Sequence, residues 1–131
     1  MVKLARLLVG LMGLLSITTA FGLWFKMDSL LPQLGLSISD LGGGVVGRAT
    51  VRADIAGLFG GMGIAMILAA RLQSRSWANA ALLFVTIAIT GRIISVILDG
   101  GPALVWPAIA IEAIVIAVLL WFRRGLPAAR R

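Results

Sequence analysis

The side chains that could do chemistry in this 131-residue chain are few. The chain has five acidic and twelve basic residues, and it contains no cysteine, histidine or tyrosine. Disulfides, thiolate nucleophiles, imidazole acid-base catalysis and metal sites built from Cys or His are therefore excluded. Asp99 and Glu112 could act as a general acid and base, but no nucleophile or set of metal ligands accompanies them. We predict a protein that is not an enzyme and that holds no metal or cofactor.

A candidate polar cluster is embedded in otherwise apolar sequence. Arg92, Ser95 and Asp99 are spaced three and four residues apart, so a helix places them along one face. Glu112 lies in the next apolar stretch, and Arg52 lies at the start of an earlier one. An unpaired charge near the centre of a bilayer costs about 2.5–3.5 kcal/mol, so we expect Arg92 and Glu112 to face each other. Such a pair either fixes the helix register or belongs to a binding or transport site.

The elements that must position these charges are predicted to be transmembrane helices. Hydrophobic residues make up 60% of the chain and charged residues 13%, whereas a soluble domain has about 45–50% and about 25%. Four apolar stretches approach or reach the roughly 20 residues that cross a bilayer. They are residues 4–25, 51–70, 77–98 and 104–122. We predict one all-α domain over residues 1–131, an integral-membrane four-helix bundle with antiparallel up-down topology.

The links between these stretches differ in length. The first stretch resembles a secretory signal peptide up to Ala20, but its apolar run continues to Phe25, so we expect an uncleaved helix. Residues 71–76 and 99–103 form short links, which predict antiparallel neighbours. Residues 26–50 form a long, apolar, glycine-containing link. We expect this link to lie on the extracytoplasmic side, along the membrane surface, and to include a short helix.

The basic residues indicate an orientation for the bundle. Eight of the twelve fall at the two ends of the chain and in the second link: Lys3, Arg6, Arg71, Arg75, Arg123, Arg124, Arg130 and Arg131. The first link and its flanks have Lys26, Arg48 and Arg52, together with Asp28, Asp40 and Asp54. This asymmetry predicts both termini in the cytoplasm. Membrane lipids are expected partners, whereas nucleic acid is not, because no soluble face interleaves basic with aromatic residues.

Gly57 and Gly61 form a small-xxx-small pattern in the second stretch. Because glycine has no side chain, the pattern favours close approach of a neighbouring helix, either within the bundle or in a homo-oligomer. Close packing within the bundle is the interpretation that we prefer, since the pattern is common in membrane helices.

The third and fourth stretches resemble a known membrane family. The sequence GRIIS at residues 91–95 is followed by DGGP at 99–102 and by IEA at 111–113. Together with Arg52, Gly57 and Gly61 upstream, these segments resemble the small bacterial four-helix integral-membrane family known as domain of unknown function 4345. In this chain Gly101 separates the usual glycine from Pro102. The resemblance implies four helices in a bacterial inner membrane and supplies no activity.

Three functions are compatible with these features. A polar cluster toward one side of an apolar bundle suits a ligand with one charged and one apolar end. Our leading hypothesis is therefore a membrane protein that binds a lipid or small amphiphile in a pocket open toward the outer half. One alternative is a proton-coupled transporter or ion-conducting oligomer that uses Glu112 or Asp99. Another is an accessory or scaffold subunit that binds a different membrane protein.

Overall fold

In the computed structural model of the chain, which describes residues 2–36, 44–101, 103 and 105–127, every regular element is helical. Helix α1 is Val2–Phe25, and the first link contains α2 (Met27–Leu30) and a 3₁₀ turn (Leu31–Leu34). Helix α3 (Gly44–Thr50), a π-helical turn (Val51–Ile55) and α4 (Ala56–Leu72) form one continuous segment, followed by α5 (Arg75–Asp99) and α6 (Val105–Arg124). Asp40, Pro102, Arg130 and Arg131, which the sequence interpretation used, lie outside the described residues.

Four helical segments are long and apolar enough to cross a membrane: Val2–Phe25, Gly44–Leu72, Arg75–Asp99 and Val105–Arg124. They suggest a multi-pass membrane protein. The second segment begins at Gly44, seven residues before the stretch predicted at 51–70. Hydropathy indicates where a hydrocarbon core would begin, whereas a helix can continue into polar surroundings. The part of the helix that precedes residue 51 carries Arg48, which pairs with Asp28 of the first link, at 3.1 Å between Nη2 and Oδ1.

Local sequence explains the sharp turn between α4 and α5. Gln73 adopts the left-handed conformation, with φ of 49°, and ends α4. Ser74 precedes α5, and its Oγ accepts a hydrogen bond from the backbone N–H of Trp77. A left-handed residue followed by a capping serine reverses the chain within two residues. The two helices are therefore adjacent, as the short link predicts, and α5 and α6 pack against each other in the same way.

The helix ends and links lie at two opposite ends of the bundle. One end contains the start of α1, the α4–α5 link and the end of α6. At this end the guanidinium of Arg75 donates a hydrogen bond to the carbonyl of Leu126, at 3.1 Å from Nε. A Cβ built at Gly125 would lie 2.7 Å from the side chain of Val2, so these segments touch. We call this the basic end. The opposite end, which contains the Arg48–Asp28 ion pair, is called the mixed end.

The tightest helix packing joins α1 to α4. A Cβ built at Gly63 would lie 2.7 Å from the backbone oxygen of Gly13 and 2.7 Å from Ile17 Cγ1. Neither glycine can therefore accept a side chain without moving the backbones apart. Next to this crossing, Ser16 Oγ donates a 2.7 Å hydrogen bond to the carbonyl of Phe59. Glycine contact and an interhelical hydrogen bond are the two devices that hold apolar helices together in a bilayer.

Burial is uneven among the four long segments. In the most apolar part of each segment, 28% of α1 and 33% of Gly44–Leu72 is buried within the protein, whereas only 11% of α5 and 11% of α6 is buried. Several large apolar side chains of α5 are exposed: Leu83, Ile87, Ile93, Ile94, Ile97 and Leu98. The core at the basic end includes the fully buried Leu119 and Phe122 of α6. Helix α6 is therefore anchored at its C-terminal end and covers less of its neighbours toward the mixed end.

Candidate functional site

The centre of the candidate site is an ion pair between α5 and α6. Arg92 Nε lies 2.8 Å from Glu112 Oε1, and this is a direct hydrogen bond. The Glu112 side chain is 14% exposed and that of Arg92 is 38% exposed. The two side chains therefore meet directly, and their contact links two helices that also pack against each other.

The contact is made by one atom pair rather than by the planar fork that arginine can offer a carboxylate. Glu112 Oε2 is buried and has no hydrogen-bond partner among the described residues. None of these residues accepts a side-chain hydrogen bond from the terminal nitrogens of Arg92. The pair thus has unused capacity on both sides, namely a lone acceptor on Glu112 and free donors on Arg92.

Arg92 lines a cavity of about 340 Å³ between α4, α5 and the start of α6. Ser95 contributes the other polar side chain of its lining, and Leu58, Ala88 and Val105 contribute apolar surface. The residue that carries the free donors therefore lines a space that combines a cation and a hydroxyl with apolar walls. Such a lining matches an amphiphile better than it matches a fully polar solute.

Ser95 and Asp99 form a separate local pair on α5. Ser95 Oγ donates a 2.6 Å hydrogen bond to Asp99 Oδ2, one helical turn further along. Both residues are exposed, and within the described ranges Asp99 forms no salt bridge. The structure therefore brings Arg92 together with Glu112 and Ser95, whereas Asp99 is positioned by Ser95 alone.

Arg52 belongs to a different contact, at the π-helical turn. The Trp24 indole N–H donates to the Arg52 carbonyl at 3.0 Å, and Arg52 Nε donates to the Trp24 carbonyl at 3.4 Å. A π-helical turn interrupts the regular pattern of α-helical backbone hydrogen bonds, so an indole N–H can donate to a backbone carbonyl there. Arg52 also offers a donor to one of the last carbonyls of α1, which have no partner within their own helix. It thus joins α1 to the second segment and does not line the Arg92 cavity.

The two glycines of the small-xxx-small pattern have different surroundings. A Cβ built at Gly61 would lie 3.1 Å from the Phe84 ring, so Gly61 admits this ring of α5. A Cβ built at Gly57 would meet nothing within 4 Å. The close helix crossing lies at Gly13 and Gly63 instead. Two glycines four residues apart indicate a helix face that a neighbouring helix can approach, but they do not specify which helix that is or where the two helices cross.

A second cavity, of about 260 Å³, was not evident from the sequence. It lies between α1, α4 and α6, and its lining is almost entirely apolar: Met12, Leu15, Ser16, Thr19, Phe59, Met62, Met66, Ile111, Ile114 and Val115. Its two hydroxyls are already used, since Ser16 donates to the Phe59 carbonyl and Thr19 to the Leu15 carbonyl. An occupant of this cavity would therefore be apolar. Helical periodicity could have placed these side chains on inward faces, but not the gap between them.

No set of three His, Cys, Asp or Glu side chains that could hold a metal ion occurs in the part of the chain that the structure describes. Comparison with known proteins finds no matching family model, no matching curated protein and no matching solved structure. The resemblance to the domain of unknown function 4345 family therefore stays a prediction.

Proposed function

We propose that this chain is a non-enzymatic, multi-pass protein of a bacterial inner membrane that binds a lipid or small amphiphile through Arg92. The observation that best supports the proposal is that Arg92, whose terminal nitrogens donate to no described residue, lines a cavity whose other surface is mainly apolar. An anionic or hydroxyl-bearing head would accept hydrogen bonds from Arg92. Ser95 Oγ, whose own proton is donated to Asp99, would accept a hydrogen bond from a hydroxyl of the head. The apolar portion of the ligand would lie against Leu58 and Val105 or continue into the surrounding lipid.

The proposed orientation follows the charge asymmetry between the two ends. Both termini and the α4–α5 link would lie in the cytoplasm, and the first link would be extracytoplasmic. A reporter fused after Arg131 tests this orientation. We expect a reporter that is active only in the cytoplasm to function there, whereas activity of a reporter specific for the outer compartment would reverse the assignment.

Ligand retention tests the binding proposal directly. The protein is purified in a mild detergent, and the retained lipids and amphiphiles are identified by native mass spectrometry and by extraction. Arg92→Gln is compared with Arg48→Gln, because each change removes one arginine of an ion pair and only Arg92 lines the cavity. A hydrogen bond to a charged group contributes about 1.5–3 kcal/mol, so we expect retention to fall by at least about tenfold in Arg92→Gln.

Two results would contradict this proposal. One is a wild-type protein that retains no amphiphile under conditions in which it stays folded. The other is equal retention in wild type, Arg92→Gln and Arg48→Gln, which would leave the ion pair with a structural role alone.

A second candidate function rests on the unpartnered Oε2 of Glu112. This oxygen is buried and no described residue donates to it, and ionisable residues inside membranes often belong to proton pathways. Four short spans enclose little space, so a proton-coupled transporter would require a homo-oligomer. Proton flux into liposomes distinguishes this candidate, because Glu112→Gln should abolish it, whereas equal flux in wild type and variant would eliminate the candidate.

A further inference from the structure

A groove at the basic end lies far from the Arg92–Glu112 pair. It runs between α1 and α4 and has a volume of about 650 Å³. Three basic residues line it, namely Lys3, Arg6 and Arg71, and the rest of the lining is apolar. We call this feature the basic groove.

The walls of the basic groove are suited to an acyl chain. Leu7, Leu11 and Leu14 of α1 line it, and each is more than half exposed. Gly10 of α1 and Ala70 of α4 close the bottom of the groove, with 3.8 Å between a Cβ built at Gly10 and the Cβ of Ala70. The leucines lie at intervals of three and four residues along one face of α1, so they continue in line from the basic residues toward the middle of the helix.

The cations of the basic groove have no counter-charge nearby on the described chain. Neither of the two salt bridges found there includes Lys3, Arg6 or Arg71. From Arg6 to the end of α1 at Phe25 is about 28 Å at 1.5 Å per residue, and Asp28 lies beyond that point. Arg71 is separated from Asp54 by about 26 Å of helix. An external anion would therefore meet three uncompensated positive charges.

We propose that the basic groove binds an anionic phospholipid, with its phosphate between Lys3, Arg6 and Arg71 and one acyl chain along the leucines of α1. A soluble anion would be attracted by the charges but would bury no apolar surface against the leucines. A zwitterionic lipid would bury its acyl chain there but would be attracted less strongly by the charges. This site is separate from the Arg92 cavity, because it lies at the other end of the bundle and the two share no lining residue.

Titration with a defined lipid tests the proposal. The full-length protein, delipidated in detergent, is titrated with phosphatidylglycerol and with phosphatidylcholine of the same acyl chains, and binding is measured by native mass spectrometry. Each Lys or Arg near an anionic head contributes about fivefold in affinity. We expect Arg6→Gln and Arg71→Gln each to weaken phosphatidylglycerol binding about fivefold. Arg124→Gln is the matched control, since Arg124 is an exposed residue of the same end and lies outside the groove.

A further variant tests the apolar part of the site without changing charge. In Gly10→Leu the Cβ makes an ordinary contact with Ala70, and the rest of the side chain fills the groove. We expect this variant to remain folded, as measured by helical circular dichroism, and to bind phosphatidylglycerol several-fold more weakly than wild type. Unchanged affinity in a folded variant would show that the acyl chain does not lie in the groove.

Three other outcomes would overturn the proposal. Equal affinity of the wild type for the two lipids would remove the role of the charges. An effect of Arg124→Gln as large as that of Arg6→Gln would reduce the site to a diffuse positive surface. Complete displacement of phosphatidylglycerol by millimolar glycerol phosphate would assign the groove to a soluble anion.

Discussion

Truncating Arg92 and truncating Glu112 should have unequal effects on stability. Arg92→Met removes the donor to Glu112 Oε1, while Oε2 is already without a partner. The carboxylate, 14% exposed, would then be left without any hydrogen bond. Breaking a buried ion pair from one side costs about 3–5 kcal/mol. Since the Arg92 side chain is 38% exposed, the protein does not fully enclose the pair, and we expect the lower limit, about 3 kcal/mol.

Glu112→Met should be milder. The Arg92 side chain that it leaves unpaired is partly exposed and long enough to turn its guanidinium toward polar surroundings, so we expect a loss of about 1–2 kcal/mol. The double variant replaces both partners by apolar side chains of similar length and should lie within about 1 kcal/mol of wild type. The two single changes are therefore expected to be strongly non-additive.

Equilibrium unfolding in mixed micelles, followed by tryptophan fluorescence, measures these differences. Asp99→Asn is the control on the same helix, because Asp99 is exposed and its hydrogen bond from Ser95 is retained by an amide oxygen. It should change stability by less than about 0.5 kcal/mol. Additivity of the two single changes within about 0.5 kcal/mol, or a larger loss for Glu112→Met than for Arg92→Met, would refute the reasoning.

Two further changes test the packing of the helices. Gly63→Ala should lower the free energy of unfolding by about 1–3 kcal/mol, because its Cβ would lie 2.7 Å from the Gly13 oxygen. Gly57→Ala should be neutral or stabilising by up to about 1 kcal/mol, because its Cβ would meet nothing within 4 Å. Similar melting temperatures for the two variants would contradict this expectation. Trp24→Phe should lower the free energy of unfolding by about 1 kcal/mol, because it removes the indole hydrogen bond at the π-helical turn. The indole of Trp77 forms no hydrogen bond with the described residues, so Trp77→Phe should change the free energy of unfolding by less than about 0.5 kcal/mol. An equal effect of the two tryptophan changes would assign the loss to ring size.

The sequence predicted the helices well because hydropathy and charge act locally. It also predicted that Arg92 and Glu112 lie within reach of each other, since two charges in adjacent apolar stretches have few other partners. It did not distinguish direct contact from separation by a ligand or a cavity, and the structure shows direct contact. The Gly13–Gly63 crossing was not predictable in this way, because it depends on how two helices approach in space. Likewise, the π-helical turn that exposes the Arg52 carbonyl to Trp24 depends on backbone geometry that residue types do not specify. Residue type alone therefore groups Arg52 with Arg92, whereas in the structure Arg52 contacts α1.

The ion pair also links binding to the stability of the α5–α6 hairpin. Among the described residues, the Arg92–Glu112 contact is the one side-chain hydrogen bond that joins these two helices, and few residues of either helix are buried. A bound anion competes with Glu112 for the same guanidinium, so the ligand must compensate for any contact that it displaces.

Arg92→Lys separates the two roles. Lysine keeps the positive charge and can still contact Glu112, but it lacks the planar set of donors that arginine directs to an oxyanion. We therefore expect Arg92→Lys to keep most of the stability that Arg92→Met loses and yet to retain at least several-fold less amphiphile than wild type. If Arg92→Lys keeps both properties, the positive charge alone is sufficient and the free donors of the guanidinium have no part in binding. If it loses both, the pair is structural, and the loss of ligand follows from the weakened hairpin.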